Sequence, residues 1–253
     1  MTQETLRHWN VAVGNFVFRY RDGLIPAVFL LSVLAMRPRV ILGSPVLTHI
    51  LLVAGALVAL TGECVRLITI GYDYIKRGGK NRQVYASRLV RGGIYAGTRN
   101  PMYLGNGLIA VGMTMYTGAP QAYVFLIPFF LFFYQAIIAA EEAYLRNKFG
   151  SEYDLYCSTV NRFMPSLNSI RHALSGMPYD WRRAIRKDFG TFTALLIGLF
   201  LTPVWRTYFL QGAVAAKETA LSVLVTVCII GILYSALKYL KRHTRFLYSS
   251  SEH

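Results

Sequence analysis

The sequence predicts an all-α, polytopic integral membrane protein with about six transmembrane helices. Three observations lead there. Of 253 residues, 54% are hydrophobic and only 15% charged, a balance unusual for a water-soluble domain of this size. Charge is absent from 46–62, 100–140, 189–205 and 219–237, and from a shorter stretch at 23–36. The basic residues are also distributed unevenly along the chain. A helix rises about 1.5 Å per residue, so roughly 20 apolar residues cross a bilayer core.

Taken in order, the spans fall near 23–38, 46–70, 101–117, 119–140, 189–208 and 219–239. The first is short and carries Pro26, and residues 9–20 precede it as an interfacial or re-entrant segment. It ends in Met36-Arg37-Pro38-Arg39 without a small-residue cleavage site, so it reads as an uncleaved span rather than a signal peptide. The 100–140 run is long enough for two crossings, and Thr117-Gly118-Ala119-Pro120 divides it into a tight helical hairpin. With these spans, 22 of the 27 Lys and Arg residues fall on one side of the membrane. That asymmetry predicts cytoplasmic termini and two long cytoplasmic loops. It also explains the net charge of +15 without nucleic acid. The lipid bilayer is the expected partner, and anionic headgroups are a secondary attraction.

Three divisions follow: 1–45 with the first span; 46–165, a core of three spans and their cytoplasmic loops; and 166–253, a basic amphipathic stretch with two further spans. In that last stretch Arg182, Arg183, Arg186 and Lys187 read first as a topology signal and second as a surface for anionic lipid. Cys64, Cys157 and Cys228 and the five histidines are scattered, so no metal site is expected.

Two polar segments stand out, a Gly- and Arg-rich loop at 71–100 and the segment 141–165. The hairpin between them returns both to one membrane face, as a shared pocket requires. Within 93–107, Pro101 suits a first helical turn and Asn100 suits an N-cap. Arg99 and Asn100 then sit at the membrane boundary beside amide groups able to hold a carboxylate. Gly105 and Gly107 remove side chains, allowing close approach of a neighbouring helix or a flat ligand. Glu141 and Glu142 project about 100° apart on a helix, so one can face a cation while the other meets an arginine. Leu145, Phe149 and Tyr153 continue one helical face beyond them, with an end or kink at Phe149-Gly150-Ser151. Glu63 and Arg66, three residues apart inside the second span, can pair. Ionisable groups at that depth generally line a cavity or a functional path.

The series Gly93-x-Tyr95-x3-Arg99-Asn100-Pro101-Met102-Tyr103-x-Gly105, followed by Glu141-Glu142-x2-Leu145-x3-Phe149-Gly150-x2-Tyr153-x2-Tyr156-x3-Val160-x-Arg162-Phe163-x-Pro165, resembles the isoprenylcysteine carboxyl methyltransferase and phospholipid methyltransferase superfamily. The resemblance covers about 73 residues and implies a helical membrane enzyme using S-adenosyl-L-methionine in a cytoplasmic-face pocket. It also implies a lipophilic small-molecule or lipid acceptor entering from the bilayer. It carries cofactor binding to Arg99, Asn100, Pro101, Tyr103, Gly105, Gly107, Glu142 and Arg162. Of the acidic pair, Glu142 is expected to meet the cofactor's cationic part, and Glu141 to be structural. Glu63, Glu141 and Tyr156 are the candidate acceptors of a substrate proton.

Two departures bear on the acceptor. Asn100 stands where the prenylcysteine enzymes have His, and 135–140 lacks an arginine to grip a prenylcysteine carboxylate. A lipid amine or a thiol is therefore at least as suitable as a carboxylate. Rival classes are a small membrane transporter or scaffold, and a membrane reductase using a nicotinamide cofactor. The first would normally show internal repeats or paired broken helices, which this sequence lacks. The second is separated by cofactor preference.

Overall fold

The computed structural model describes residues 3–72, 86, 88–244 and 246–248. The part of the polar loop at 73–85 lies outside the described residues. Eight α-helices are described: α1 Gln3–Ala35, α2 Pro45–Tyr72, α3 Pro101–Tyr116, α4 Pro120–Phe149, α5 Ser151–Thr159, α6 Leu167–Leu174, α7 Trp181–Gln211 and α8 Ala213–His243. No strand occurs among the described residues.

Four helices, α2, α4, α7 and α8, are long and apolar enough to cross a membrane. The segment anticipated as a separate interfacial piece at 9–20 is instead the first half of α1, which runs unbroken for 33 residues. At about 1.5 Å per residue such a helix reaches roughly 50 Å, more than one bilayer core. Helix α3, with 16 residues, is the short member and is enclosed by its neighbours.

Helices α2 and α3 pack antiparallel through paired glycines. A β-carbon on Gly62 would lie 2.5 Å from the Gly105 carbonyl oxygen, and one on Gly55 would lie 2.7 Å from that of Gly112. Each pair is seven residues from the next on both helices, so the two backbones stay close over two turns. Small residues allow this approach where apolar side chains would be indifferent between helix and lipid. The tight turn to α4 is made at Gly118, whose φ of +62° suits glycine. Phe130, Phe133, Ile137 and Ile138 of α4 then form a buried core with Val17 and Phe18 of α1.

Backbone contacts define the two ends of the bundle. Arg39 N–H donates to Gly118 O at 3.0 Å, and Arg206 Nη1 donates to Thr117 O at 2.7 Å. This end gathers the α1–α2 connection, the α3–α4 turn and the far end of α7. At the opposite end, Asp180 N–H donates to Gly71 O at 2.9 Å, joining the start of α7 to the end of α2. Arg183 adds hydrogen bonds to Ile70 O and Gly71 O at 2.9 and 2.7 Å. Arg186 is 3% exposed, with its guanidinium 4.4 Å from the Tyr248 ring centre. Two of the four basic residues, read from sequence first as a topology signal and second as a lipid-facing surface, therefore pack within the fold. For Arg183 the reason is local: the last carbonyls of α2 need donors, and its guanidinium reaches them.

Candidate functional site: a cavity with a polar end and an apolar arm

A cavity of about 940 Å³ lies between α1, α2, α3, α4 and α7. Its polar end is lined by Arg21, Arg66, Tyr95, Tyr103, Asn106, Glu141, Lys187 and Thr191. An apolar arm continues between Phe29, Leu30 and Val33 of α1, Ile109 and Met113 of α3, and Leu195, Gly198 and Leu201 of α7. Leu30 and Leu201 are also exposed on the outer surface. The arm thus approaches the surface that faces lipid.

The acidic pair divides as its helical geometry requires. Glu141, 4% exposed, lines the cavity and accepts a 2.6 Å hydrogen bond from the Tyr103 hydroxyl. Arg21 Nη1 donates to the same hydroxyl at 3.4 Å. Glu142 turns to the other side and takes a forked contact from Arg162, with Nε to Oε1 at 3.1 Å and Nη2 to Oε2 at 2.9 Å. Arg99 Nη2 lies 3.9 Å from Glu142 Oε1, and Arg162 Nη1 donates to Gln135 Oε1 at 3.0 Å. Forked guanidinium–carboxylate contacts fix orientation as well as charge.

The segment before α3 is held against residues 161–166. Arg99 N–H donates to Asn161 O at 2.9 Å, and Ser166 N–H to Gly97 O at 2.9 Å. Asn100 occupies the N-cap position of α3 but makes no side-chain cap; its Nδ2 donates to Arg162 O at 3.3 Å. The Asn100 amide is engaged in this cross-link instead of capping the N–H groups of Met102 and Tyr103, which an N-cap side chain would serve. Pro101 is fully buried. Tyr156 donates its hydroxyl to Tyr95 O at 2.7 Å, and packs with Tyr153, Leu145 and Ala86. The anticipated break at 149–151 occurs at Gly150, where φ is +51° and α5 begins. Burial, and then the nearby Glu142 carboxylate, push the Tyr153 phenol well above its ordinary range.

The two glycines of α3 separate in role. Gly105 packs against α2, where an added β-carbon would lie 2.6 Å from Arg66 Cγ. Gly107 has no heavy atom within 4 Å of such a position. They point about 200° apart on the helix and cannot serve one flat ligand together.

The Glu63–Arg66 pair forms, with Arg66 Nε 3.7 Å from Glu63 Oε2. Its strongest partner is one that sequence reasoning did not single out. Arg66 grips Asp188 of α7 through Nη2 and through Nε at 3.2 Å, donates to Asn106 Oδ1, and reaches Thr191 Oγ1 at 3.1 Å. Asp188 is fully buried. A signal existed: Asp188 is the last charge before the uncharged stretch 189–205, and an acid there calls for a buried partner.

The site therefore joins Tyr103 and Glu141 on the cavity wall to a neighbouring cluster of Arg99, Asn100, Glu142 and Arg162. It sets Tyr156 and Pro101 as framework and brings in α7. Chemically, it offers a carboxylate facing the cavity, several donors beside it, and an apolar arm leading toward lipid.

The phospholipid methyltransferase family profile matches residues 41–152, a span that contains α2, α3, α4 and both carboxylates. An uncharacterised protein of Haemophilus influenzae is 41% identical over 63 residues, covering 25% of this chain and 100% of the relative. No solved structure matches. The matched profile, the helical membrane architecture and the ordered motif residues agree: the chain belongs to the phospholipid methyltransferase family.

Proposed function

We propose that the protein is an S-adenosyl-L-methionine-dependent methyltransferase acting on a lipophilic acceptor at the cytoplasmic membrane face. The observation that carries the reading is the Tyr103–Glu141 pair at the polar end of a cavity whose other arm is apolar. A cationic cofactor suits this end. Glu141 places a buried carboxylate on the cavity wall, and Asn106, Tyr95, Arg21 and Lys187 line the same cavity with polar groups. The volume of about 940 Å³ is at the upper end of the range for small-molecule sites, room for a cofactor with part of an acceptor.

When bound, the cofactor supplies an activated methyl group on a sulfonium. The chain's own contribution is then alignment and exclusion of water. Glu141, oriented by Tyr103, faces the cation, taking the role expected of Glu142, whose carboxylate is engaged by Arg162. The Arg99–Glu142–Arg162 cluster holds the segment before α3 against the segment after α5, and the candidates for the cofactor carboxylate are the donors that line the cavity. Phe29, Leu30, Ile109, Met113, Leu195 and Leu201 seat the hydrocarbon part of the acceptor. An amine or thiol acceptor must lose a proton. Glu141 is favoured to take it, because Glu63 stands behind Arg66 and the Tyr156 hydroxyl is already donating to Tyr95 O. The excess of basic residues at the same end supports a cytoplasmic orientation of the pocket.

The test is titration of S-adenosyl-L-methionine into the purified protein in lipid nanodiscs, with Glu141→Gln alongside. Saturable binding that Glu141→Gln weakens is expected. Absence of binding by folded protein, with binding of a nicotinamide nucleotide instead, would overturn the reading.

A further inference from the structure

We infer that Asp188 of α7 is a positioning residue for the cofactor: through the Arg66 guanidinium it fixes the Asn106 amide, turning its NH2 toward the cavity as a donor to a ligand carboxylate. The inference rests on the cofactor reading above and adds to it a helix outside the residues matched by the family profile.

Arginine has five donors and no acceptor, so whatever it touches must present an oxygen. Nε and Nη2 of Arg66 are taken by Asp188, and Nη2 also reaches Thr191 Oγ1. The remaining arm, Nη1, donates to Asn106 Oδ1. The orientation of the Asn106 amide is thereby set. Its oxygen faces Arg66, and its NH2 faces away, on a residue that lines the cavity one turn from Tyr103. Asp188 has a second effect. Its buried carboxylate neutralises the guanidinium, so the wall offers a neutral donor where an uncompensated cation would repel a sulfonium in a low-dielectric interior. An arginine lacking Asp188 would turn toward Glu63, 3.7 Å away, and release Asn106.

The experiment measures S-adenosyl-L-methionine affinity and ligand-free melting of the full chain in nanodiscs for wild type, Asp188→Asn, Asn106→Asp and the double variant. Asn106→Asp keeps an oxygen toward Arg66 and replaces the donor NH2 with a second oxygen that carries negative charge. It should remain folded without ligand, yet bind at least tenfold more weakly. Asp188→Asn alone should weaken binding by a similar factor. If Asp188 acts through Asn106, the double variant should bind little worse than Asn106→Asp, whereas a merely structural role gives losses that multiply. Multiplying losses, or wild-type affinity in both single variants, would overturn the inference while leaving the cofactor reading intact. Wild-type protein that binds no cofactor would overturn both. If Asp188→Asn does not fold, Asn106→Asp decides by itself, and wild-type affinity there refutes the proposal.

Discussion

Replacing Gly62 by alanine tests the close helix contact that sets the depth of the site. The new β-carbon would stand 2.5 Å from Gly105 O, 2.8 Å from Ile109 N and 2.9 Å from Leu108 Cβ. The first two are backbone atoms and cannot rotate away. Reaching ordinary contact near 3.4 Å requires α2 and α3 to part by roughly 1 Å. Overpacking of this kind costs about 1–3 kcal/mol. For a chain of this size, a middle value of about 2 kcal/mol lowers the melting midpoint by about 4–8 °C. Arg66 sits one turn further along α2, so the same displacement loosens its contact with Asn106 and should weaken ligand binding. Gly107→Ala is the control, since nothing lies within 4 Å of the added carbon and alanine favours helix over glycine. Tryptophan fluorescence during heating in nanodiscs reads both variants. Equal melting of Gly62→Ala and wild type, or an equal fall for Gly107→Ala, would refute the packing argument.

Tyr156→Phe removes the buried 2.7 Å hydrogen bond to Tyr95 O and should cost about 1–3 kcal/mol of stability through the orphaned carbonyl. Methyl transfer at saturating substrates should persist at a temperature where the variant is folded, and loss of the chemical step there would restore Tyr156 as the proton acceptor. Tyr153 gives a pH signature. Its phenol is pushed up from an ordinary value of 10.0 by burial first and by Glu142 second. The protonated form is therefore favoured in the folded state, and that stability is fully present below pH 10. Above pH 10 the unfolded chain ionises first and stability falls. Tyr153→Phe should flatten this alkaline decline in denaturation midpoints measured from pH 8 to 11, and an unchanged decline would show that another group governs it.

Part of the candidate site was legible from residue chemistry and helical spacing, although of the eight residues expected at the cofactor only Tyr103 lines the cavity. Glu141 and Glu142 had to diverge on any helix, and they do, one to the cavity and one to Arg162 and Arg99. The break near 150 was readable from Phe149-Gly150-Ser151, because only glycine accepts the backbone turn found there easily. Gly105 and Gly107 were not separable by sequence, since whether a missing side chain admits a helix or a ligand depends on what lies opposite. Asn100 does stand at the N-cap of α3, but its side chain makes no cap, because it donates to the Arg162 carbonyl 62 residues away.

By itself the sequence determined the helical membrane class, the hairpin of α3 and α4, the divergence of the acidic pair and the family. Each of these depends on local periodicity, charge or spacing, which a linear chain carries. Only the tertiary structure decided that α1 is one continuous helix and that α7 walls the cavity. It alone assigned Arg66 to Asp188, 122 residues away, more closely than to Glu63, its neighbour at i−3. The physical reason is that a buried guanidinium takes the carboxylate whose geometry fits its fork, and that fit is settled by how helices pack, not by their order in the chain.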